Sequence, residues 1–504
     1  MDRSTDVAPQ RFGEDLEPGL NVIGYLRAVN GLGEATRLML PAIEMTGIPF
    51  QTMDYKASPS REGSDFEEHA EVGVPRHDVN LLCVNADMVP TFARDAGPGV
   101  FMKRYTIGTW AWETEEFPPV LLGSLDFVDE VWMPSDYSSD AIRKVTTKPV
   151  FTFGHPIVRP PVAQGISRAG LGLPDSYMFL FCFDFYSVAK RKNPTGLIEA
   201  FKRAFQPGDG PVLVIKTLNA DKRPEDSAAL HAAAEGRDDI IFFDRYMTAE
   251  EKNSLIGLCD CYVSLHRSEG FGLTLAEAMA LGRPVIATGY SGNLDFMNDD
   301  NSYLVKWRPA LVGEDVWNYP ASGRWAEPDI EDAARLMRHA QEHPEEAAAR
   351  GRRAQEDILR SHAPARQADF IRERYDTIRG SGLLAAAAQN GDRWAFAGAM
   401  QRASLMLSRG PEVELPTERG GPYSVAARSF RRVLKRVLRN QWVYQRDVGT
   451  ALLEALREVD AKRQREAAGT SRALADIDAR LRELSARLEA VEAALERSPE
   501  HAPR

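Results

Sequence analysis

The sequence predicts an α/β protein of two domains, each built on a parallel sheet, followed by a helical extension ending in a coiled coil. Three observations predict it. Short apolar runs alternate with helix-periodic stretches from Leu20 onward, the alternation restarts after Pro160-Pro161, and beyond residue 380 strand signals vanish and a heptad repeat appears. Strands that alternate with helices imply parallel sheets, because a parallel pair needs a crossover between its strands.

Residues 1–19 are polar and acidic and read as a loose leader. The first domain, 20–158, opens with a strand at Asn21–Tyr25, the small-residue turn Gly31-Leu32-Gly33 and a helix over Glu34–Thr46. Val79–Val84, Tyr105–Trp110 and Glu130–Met133 read as further strands, and Ser135 is placed to cap a helix. In the second domain, 159–380, strands are expected at Met178–Phe183, Val212–Lys216, Ile240–Phe243, Cys261–Leu265 and Pro284–Ala287, with a helix over Asn193–Phe205 and another around Pro364–Ile378 closing the unit. In 381–504, residues 383–409 read as helix and Pro411–Pro422 as a linker. Leu474, Ile477, Leu481, Leu484, Leu488, Val491 and Leu495 then keep the 3,4 spacing of a coiled-coil seam.

A chain of 504 residues is too long for one core. Its net charge of −11 argues against general nucleic-acid binding. The N-terminal stretch lacks the apolar core of a signal peptide, and no apolar run is long enough to span a bilayer, so a cytoplasmic location is expected. Cys83, Cys182, Cys259 and Cys261 are expected to be small buried hydrophobes, since no second Cys/His pair completes a zinc site around Cys259 and Cys261.

The chemistry is concentrated in Ser268–Met297, SEGFGLTLAEAMALGRPVIATGYSGNLDFM. Seven residues separate Glu269 from Glu277. Gly270-Phe271-Gly272 between them opens a helix that carries Glu277, and a helix N-terminus suits an anion such as a diphosphate. Ser291-Gly292-Asn293 forms a second small-residue turn of the kind that presents N–H groups to phosphate. The stretch resembles the E-x7-E signature of retaining GT-B glycosyltransferases (group 1, family 4-like), and with the two-domain pattern the resemblance spans roughly residues 20–380. It implies two Rossmann-like domains that face each other across a cleft, and a nucleotide-sugar donor. Glu269 would lie near the donor sugar and Glu277 on the ribose.

The resemblance also implies an Arg and a Lys for the diphosphate. In DFYSVAKRKNP, Asp184–Pro194, Lys192 takes the lysine position, but Ser187 stands where the family has Arg. Arg191 and Lys190 are candidate replacements, although a solvated turn explains them equally well. Lys216 at the end of VLVIK is a further cation. No metal is expected, the lone D-x-D, Asp476-Ile477-Asp478, lying inside the heptads. No cofactor is expected beyond the donor substrate.

On the acceptor side, Gly31 and Gly33 sit where family members carry a Gly-rich loop. TWAWETEEFP, Thr109–Pro118, resembles a G-x-W-x-W-E segment found in a branch from surface-polysaccharide pathways. Trp110 and Trp112 would stack on sugar, or pack in the core, and Glu113 would be a cleft carboxylate. Asn85 and Asp87 are weaker cleft candidates. His155 and His266 read as structural, and Tyr246 is a candidate for the base.

Residues 428–446 hold seven basic residues and no acid, with an apolar face that includes Trp442. That helix suits an anionic membrane surface or its own catalytic domain. The heptads over 474–495 suggest self-association or docking to a partner. The expected reaction is hexose transfer from a UDP- or GDP-sugar to a saccharide or lipid-linked glycan in cell-surface polysaccharide synthesis, by a cytoplasmic enzyme that sits peripherally at the inner face of the membrane if the basic helix binds it. An epimerase or phosphorylase on the same fold, and a non-catalytic scaffold acting through the tail, are the alternatives.

Overall fold

The computed structural model describes residues 16–56, 60, 75–316 and 318–389. The 383–409 helix beyond Gln389, the 411–422 linker, the basic 428–446 segment, the 474–495 heptads and Asp476–Asp478 lie outside the described residues.

The first domain is a parallel sheet of order β2-β1-β3-β4-β5-β6. Its elements are β1 (Glu17–Gly24), α1 (Gly31–Thr46), β2 (Phe50–Asp54), β3 (His77–Cys83), α2 (Val89–Ala96), β4 (Tyr105–Thr109), β5 (Glu130–Met133), α3 (Asp136–Arg143) and β6 (Val150–Thr152). Every residue of β3 is buried, as expected where helices cover both faces. Two boundaries differ from expectation. β1 starts at Glu17, inside the supposed leader, because Glu17 and Gly19 find partners in the Arg76 carbonyl and Asp78 without needing apolar side chains. α1 starts at Gly31, with Asn30 as its cap accepting from Gly33 N–H at 2.8 Å. Its two glycines hide a helix start from propensity alone.

The second domain holds β7 (Met178–Asp184), α4 (Ala189–Lys192), α5 (Pro194–Ala204), β8 (Val212–Leu218), α6 (Pro224–Ala233), β9 (Ile240–Phe243), α7 (Ala249–Leu258), β10 (Cys261–Ser264), α8 (Leu273–Ala280), β11 (Val285–Thr288) and β12 (Tyr303–Val305). An antiparallel hairpin, β13 (Trp307–Leu311) and β14 (Arg324–Pro328), precedes α9 (Ile330–Glu342) and α10 (Pro344–Ser361). The parallel sheet runs β12-β11-β10-β7-β8-β9. Its strand order reverses between β7 and β10. In such sheets ligands bind outside the carboxyl ends of the strands at that point, so the β7–α5 and β10–α8 loops frame the expected site.

α11 (Pro364–Gly380) does not close the second domain. It returns to the first, where Ile371, Tyr375 and Ile378 join the core of Leu20, Met39 and Ile43, and α12 (Leu383–Gln389) follows it. Its polar anchor is Glu130, which is fully buried. Glu130 accepts from Trp132 Nε1 at 2.6 Å, Tyr105 Oη at 3.1 Å, and Arg374 Nη2 and Nε at 2.5 and 3.2 Å. Arg379 pairs with Asp78 one turn on.

Breaking a buried, fully bonded ion pair from one side strands the other charge. Glu130→Ala should lower the unfolding free energy by about 3–5 kcal/mol in chemical denaturation. A loss no larger than that of an exposed pair such as Arg143–Asp140 would show that α11 is held by its apolar face alone.

Candidate active site

The two loops at the switch point supply three of the expected residues. The β7–α5 loop bends sharply at Val188, whose φ of 62° is costly for a β-branched residue. This short reversal turns Arg191 and Lys192 toward the end of β10. There Lys192 Nζ lies 2.5 Å from Glu269 Oε1, and Arg191 Nη1 lies 3.1 Å from Glu269 Oε2. Arg191 also donates to the carbonyls of Ser268 (2.7 Å) and Ser187 (3.2 Å), and its Nη2 is 3.7 Å from Glu113 of the first domain. Arg191 is thus placed beside Glu269 and Glu113, with its hydrogen bonds directed to protein groups.

Burial alone would raise the Glu269 pKa, but Lys192 and Arg191 outweigh it and hold the carboxyl at about 2. Lys192 is itself shifted down, by its burial and by Arg191 beside it, despite the attraction of Glu269. Two cations share one carboxylate, so Glu269 stays charged while Lys192 binds its proton less tightly than an exposed lysine.

The turn at Ser291 braces this carboxylate from behind. Glu269 N–H donates to Ser291 Oγ (2.8 Å), and Gly292 N–H donates to the Glu269 carbonyl (3.0 Å). A Cβ on Gly292 would lie 2.1 Å from the Gly270 carbonyl oxygen, so only glycine fits. Asn293 is buried, its Oδ1 accepting from His266 Nε2 and its Nδ2 donating to the Thr288 carbonyl. Of the turn expected to meet phosphate, the Ser291 hydroxyl and the Gly292 N–H are engaged with Glu269. Gly270 is engaged as well, its carbonyl accepting from Ser135 Oγ (2.6 Å) and Ser138 Oγ (3.2 Å) of the first domain. Phe271 is a core ring packed on His155 and Phe296 rather than a ligand-facing one. Gly272, with φ of 97°, opens α8.

Glu277 lies on α8 as expected, and its partner is one the sequence did not single out. Lys252 of α7 reaches Glu277 Oε1 at 2.6 Å, while Oε2 is buried without a hydrogen-bond partner. Burial raises the Glu277 pKa, and Glu34 from the first turn of α1 adds to the effect, against Lys252. Burial opposes the charge of Lys252, but Glu277 and Glu34 prevail and raise its pKa. Glu34 therefore brings the Gly-rich turn to this side of the cleft. Gly31 has open space where a side chain would stand, whereas Gly33 is required by its own loop, a Cβ there falling 2.4 Å from the Ala28 carbonyl. Lys216 is buried near Lys252, its Nζ donating to the Thr217 carbonyl at 3.0 Å, and burial lowers its pKa. Nothing in the spacing around Lys252 marks it. Only the fold of α7 against α8 does.

The other candidates are engaged with protein groups away from the two carboxylates, or buried. Trp110 and Trp112 are 3% and 1% exposed and pack on Phe117, so neither offers a face to sugar. β4 ends at Thr109, so strand alternation does not govern them. Lys190 holds the β13–β14 hairpin, through the Val312 carbonyl (2.9 Å) and Glu314 (2.8 Å), and leaves the site. Asn85 accepts from Ala111 N–H and donates to Asp87, bracing the tryptophan segment. Burial raises the Asp87 pKa. Tyr246, 39% exposed, follows the edge strand β9. His155 and His266 are both buried, His266 being bonded to Ser264 and Asn293. The four cysteines are buried and unpaired. Among the described residues no cluster of His, Cys, Asp or Glu is arranged to hold a metal, and no helix is long and apolar enough to cross a membrane.

Residues 185–357, which carry Arg191, Lys192, Glu269 and Glu277, match the family model described as glycosyl transferases group 1. Among solved structures, the chain is similar to sucrose-phosphate synthase from Thermosynechococcus elongatus (TM-score 0.55, 15% identity, 72% of this chain and 100% of that one). It is also similar to Anabaena Alr3699/HepE in complex with UDP-glucose (TM-score 0.52, 12% identity, 71% and 99%). No curated protein matches in sequence. The fold is that of the GT-B glycosyltransferases, and with the match of residues 185–357 to the group 1 model it supports a glycosyltransferase.

A carboxyl held at about 2 when folded, against an ordinary 4.5, contributes stability that is complete above pH 4.5 and lost as the pH falls toward 2. Glu269→Gln removes this term. Denaturation at pH 6 and pH 3.5 should show a flatter acid dependence in the variant than in the wild type, by a difference of order 1–3 kcal/mol. Equal slopes would mean that Glu269 is not clamped.

Proposed function

We propose that the protein is a retaining glycosyltransferase that moves a hexose from a UDP- or GDP-sugar to a saccharide or lipid-linked glycan acceptor. The observation that carries the reading is the pair of carboxylates at the switch point. Glu269 is locked in its charged form, and Glu277 keeps one buried oxygen without a hydrogen-bond partner. An anionic carboxylate beside the anomeric carbon stabilises the positive charge that develops there as the bond to the diphosphate breaks. A carboxylate oxygen lacking a donor suits a ribose hydroxyl. Lys192, Lys252 and the N-terminus of α8 supply the positive field for the departing diphosphate. Anabaena Alr3699/HepE, which is similar in fold, is seen in complex with UDP-glucose, which favours a uridine donor.

Purified protein incubated with UDP-, GDP- and ADP-sugars should release nucleoside diphosphate from one of them. Glu269→Ala and Lys192→Ala should each lower that release at least about a hundredfold, the loss expected when charge stabilisation is removed from a transition state. Release that survives both changes, or no release and no nucleotide binding, would defeat the assignment.

Residues 428–446 carry the reading further. Their seven basic residues and apolar face suit an anionic bilayer, where a lipid-linked acceptor would be met. The full chain should sediment with vesicles containing anionic lipid and not with neutral ones, and replacing those basic residues by Gln should abolish this. Equal sedimentation of the variant would assign the segment to packing within the protein.

A further inference from the structure

The β13–β14 hairpin extends from the second domain and meets the first domain beside Glu269. Tyr319, on the segment that joins its two strands, is 1% exposed. Its hydroxyl donates to Glu113 Oε2 at 2.9 Å, and its ring packs on Trp112 with centroids 5.5 Å apart. Glu113 in turn faces Arg191, which is paired with Glu269. The hairpin is tied down at its base. Arg267, two residues before Glu269, forms a two-pronged pair with Glu327 of β14 at 2.9 Å. Ala326 N–H donates to the Arg267 carbonyl at 2.9 Å, and Lys190 binds the hairpin from the β7–α5 side.

The wall this makes is continuous: Tyr319, Trp112, Glu113 and Arg191 stand side by side, all buried or nearly so. We propose that Tyr319 is a specificity-determining residue whose ring seals the first-domain side of the sugar pocket against water, so that a saccharide hydroxyl rather than water takes the hexose. The inference rests on the transferase reading. Transfer and hydrolysis break the same bond, between the anomeric carbon and a diphosphate oxygen. They differ in which oxygen forms the new bond to that carbon, an acceptor hydroxyl or water, and in each case that oxygen's proton passes to the departing diphosphate or to solvent. Excluding water from one side therefore selects between the two outcomes without changing the bond that breaks.

Tyr319→Ala removes the ring, and Tyr319→Phe keeps the ring but loses the bond to Glu113. Hydrolysis would be read as free hexose and transfer as product on added saccharides, with the donor held saturating. In Tyr319→Ala the ratio of hydrolysis to transfer should rise at least about tenfold, equivalent to about 1.4 kcal/mol in relative barrier. Tyr319→Phe should show a smaller rise. If both variants keep the wild-type ratio, or lose both activities in proportion, the proposal falls. Hydrogen exchange of the peptide 109–117 reports the wall without any turnover. It should quicken in Tyr319→Ala, and an unchanged rate overturns the seal even if the wild type proves to have no transferase activity. Should Tyr319→Ala fail to fold, the ratio and the exchange rate of Tyr319→Leu, which also removes the ring, decide in the same way.

Discussion

Glu269 carries a negative charge at 7% exposure, and burial of that kind is tolerated only where opposite charge and hydrogen bonds surround it. Arg191 and Lys192 supply the opposite charge, but two cations against one carboxylate leave a surplus. Glu113, 3.7 Å from Arg191, restores the balance at two of each sign. Glu113 belongs to the first domain and Arg191 to the second, so the electrostatic requirement is met only when the domains are together. Closely spaced backbone follows from the same demand. Gly292 lies against Gly270, and Ser135 and Ser138 of α3 reach across to the Gly270 carbonyl, because the loop bearing Glu269 must be fixed from both sides.

The serine at position 187 makes sense within this arrangement. The resemblance placed an arginine there. Here the Val188 reversal leaves the Ser187 carbonyl as an acceptor for Arg191. The cation four residues along the chain folds back over the loop and ends beside Glu269. Strain of order 1–3 kcal/mol at a β-branched residue with positive φ persists only where its surroundings dictate it, and here the dictating contacts are the ion pairs of Arg191 and Lys192.

How much of this was legible depends on whether a feature is local. Alternating apolar runs revealed most strands, since β5 and β9 lie where the pattern placed them and Ser135 caps α3 by accepting from Ser138 N–H. β2, FQTMD, escaped because it is short and mixed in polarity and draws its place from pairing with β1. The E-x7-E phrase located Glu269 and Glu277. It carried no information on Lys252 or Tyr319, which reach the site from α7 and from the hairpin through tertiary packing. The tryptophans stayed open between two readings for a related reason: composition marks Trp110 and Trp112 as notable, but only the packing of Phe117 and Tyr319 against them decides that they face inward. α11 shows the limit most plainly. Its periodicity fixed its extent, while its choice of the first core over the second rests on Glu130 and Asp78, residues more than 200 positions earlier in the chain.

The two carboxyls of the motif are driven in opposite directions by their neighbours. Glu269 has two cations and sits at about 2, whereas Glu277 has one, shares it with Glu34, and is pushed up by burial. Environments that separate like groups in this way divide labour between them. The charge of Glu269 is permanent, because two cations hold it. That of Glu277 is conditional, because its free oxygen lacks the hydrogen-bond donors that favour the ionised form. A ligand hydroxyl donating to that oxygen would supply what is missing, stabilise the charged carboxylate and strengthen its pair with Lys252.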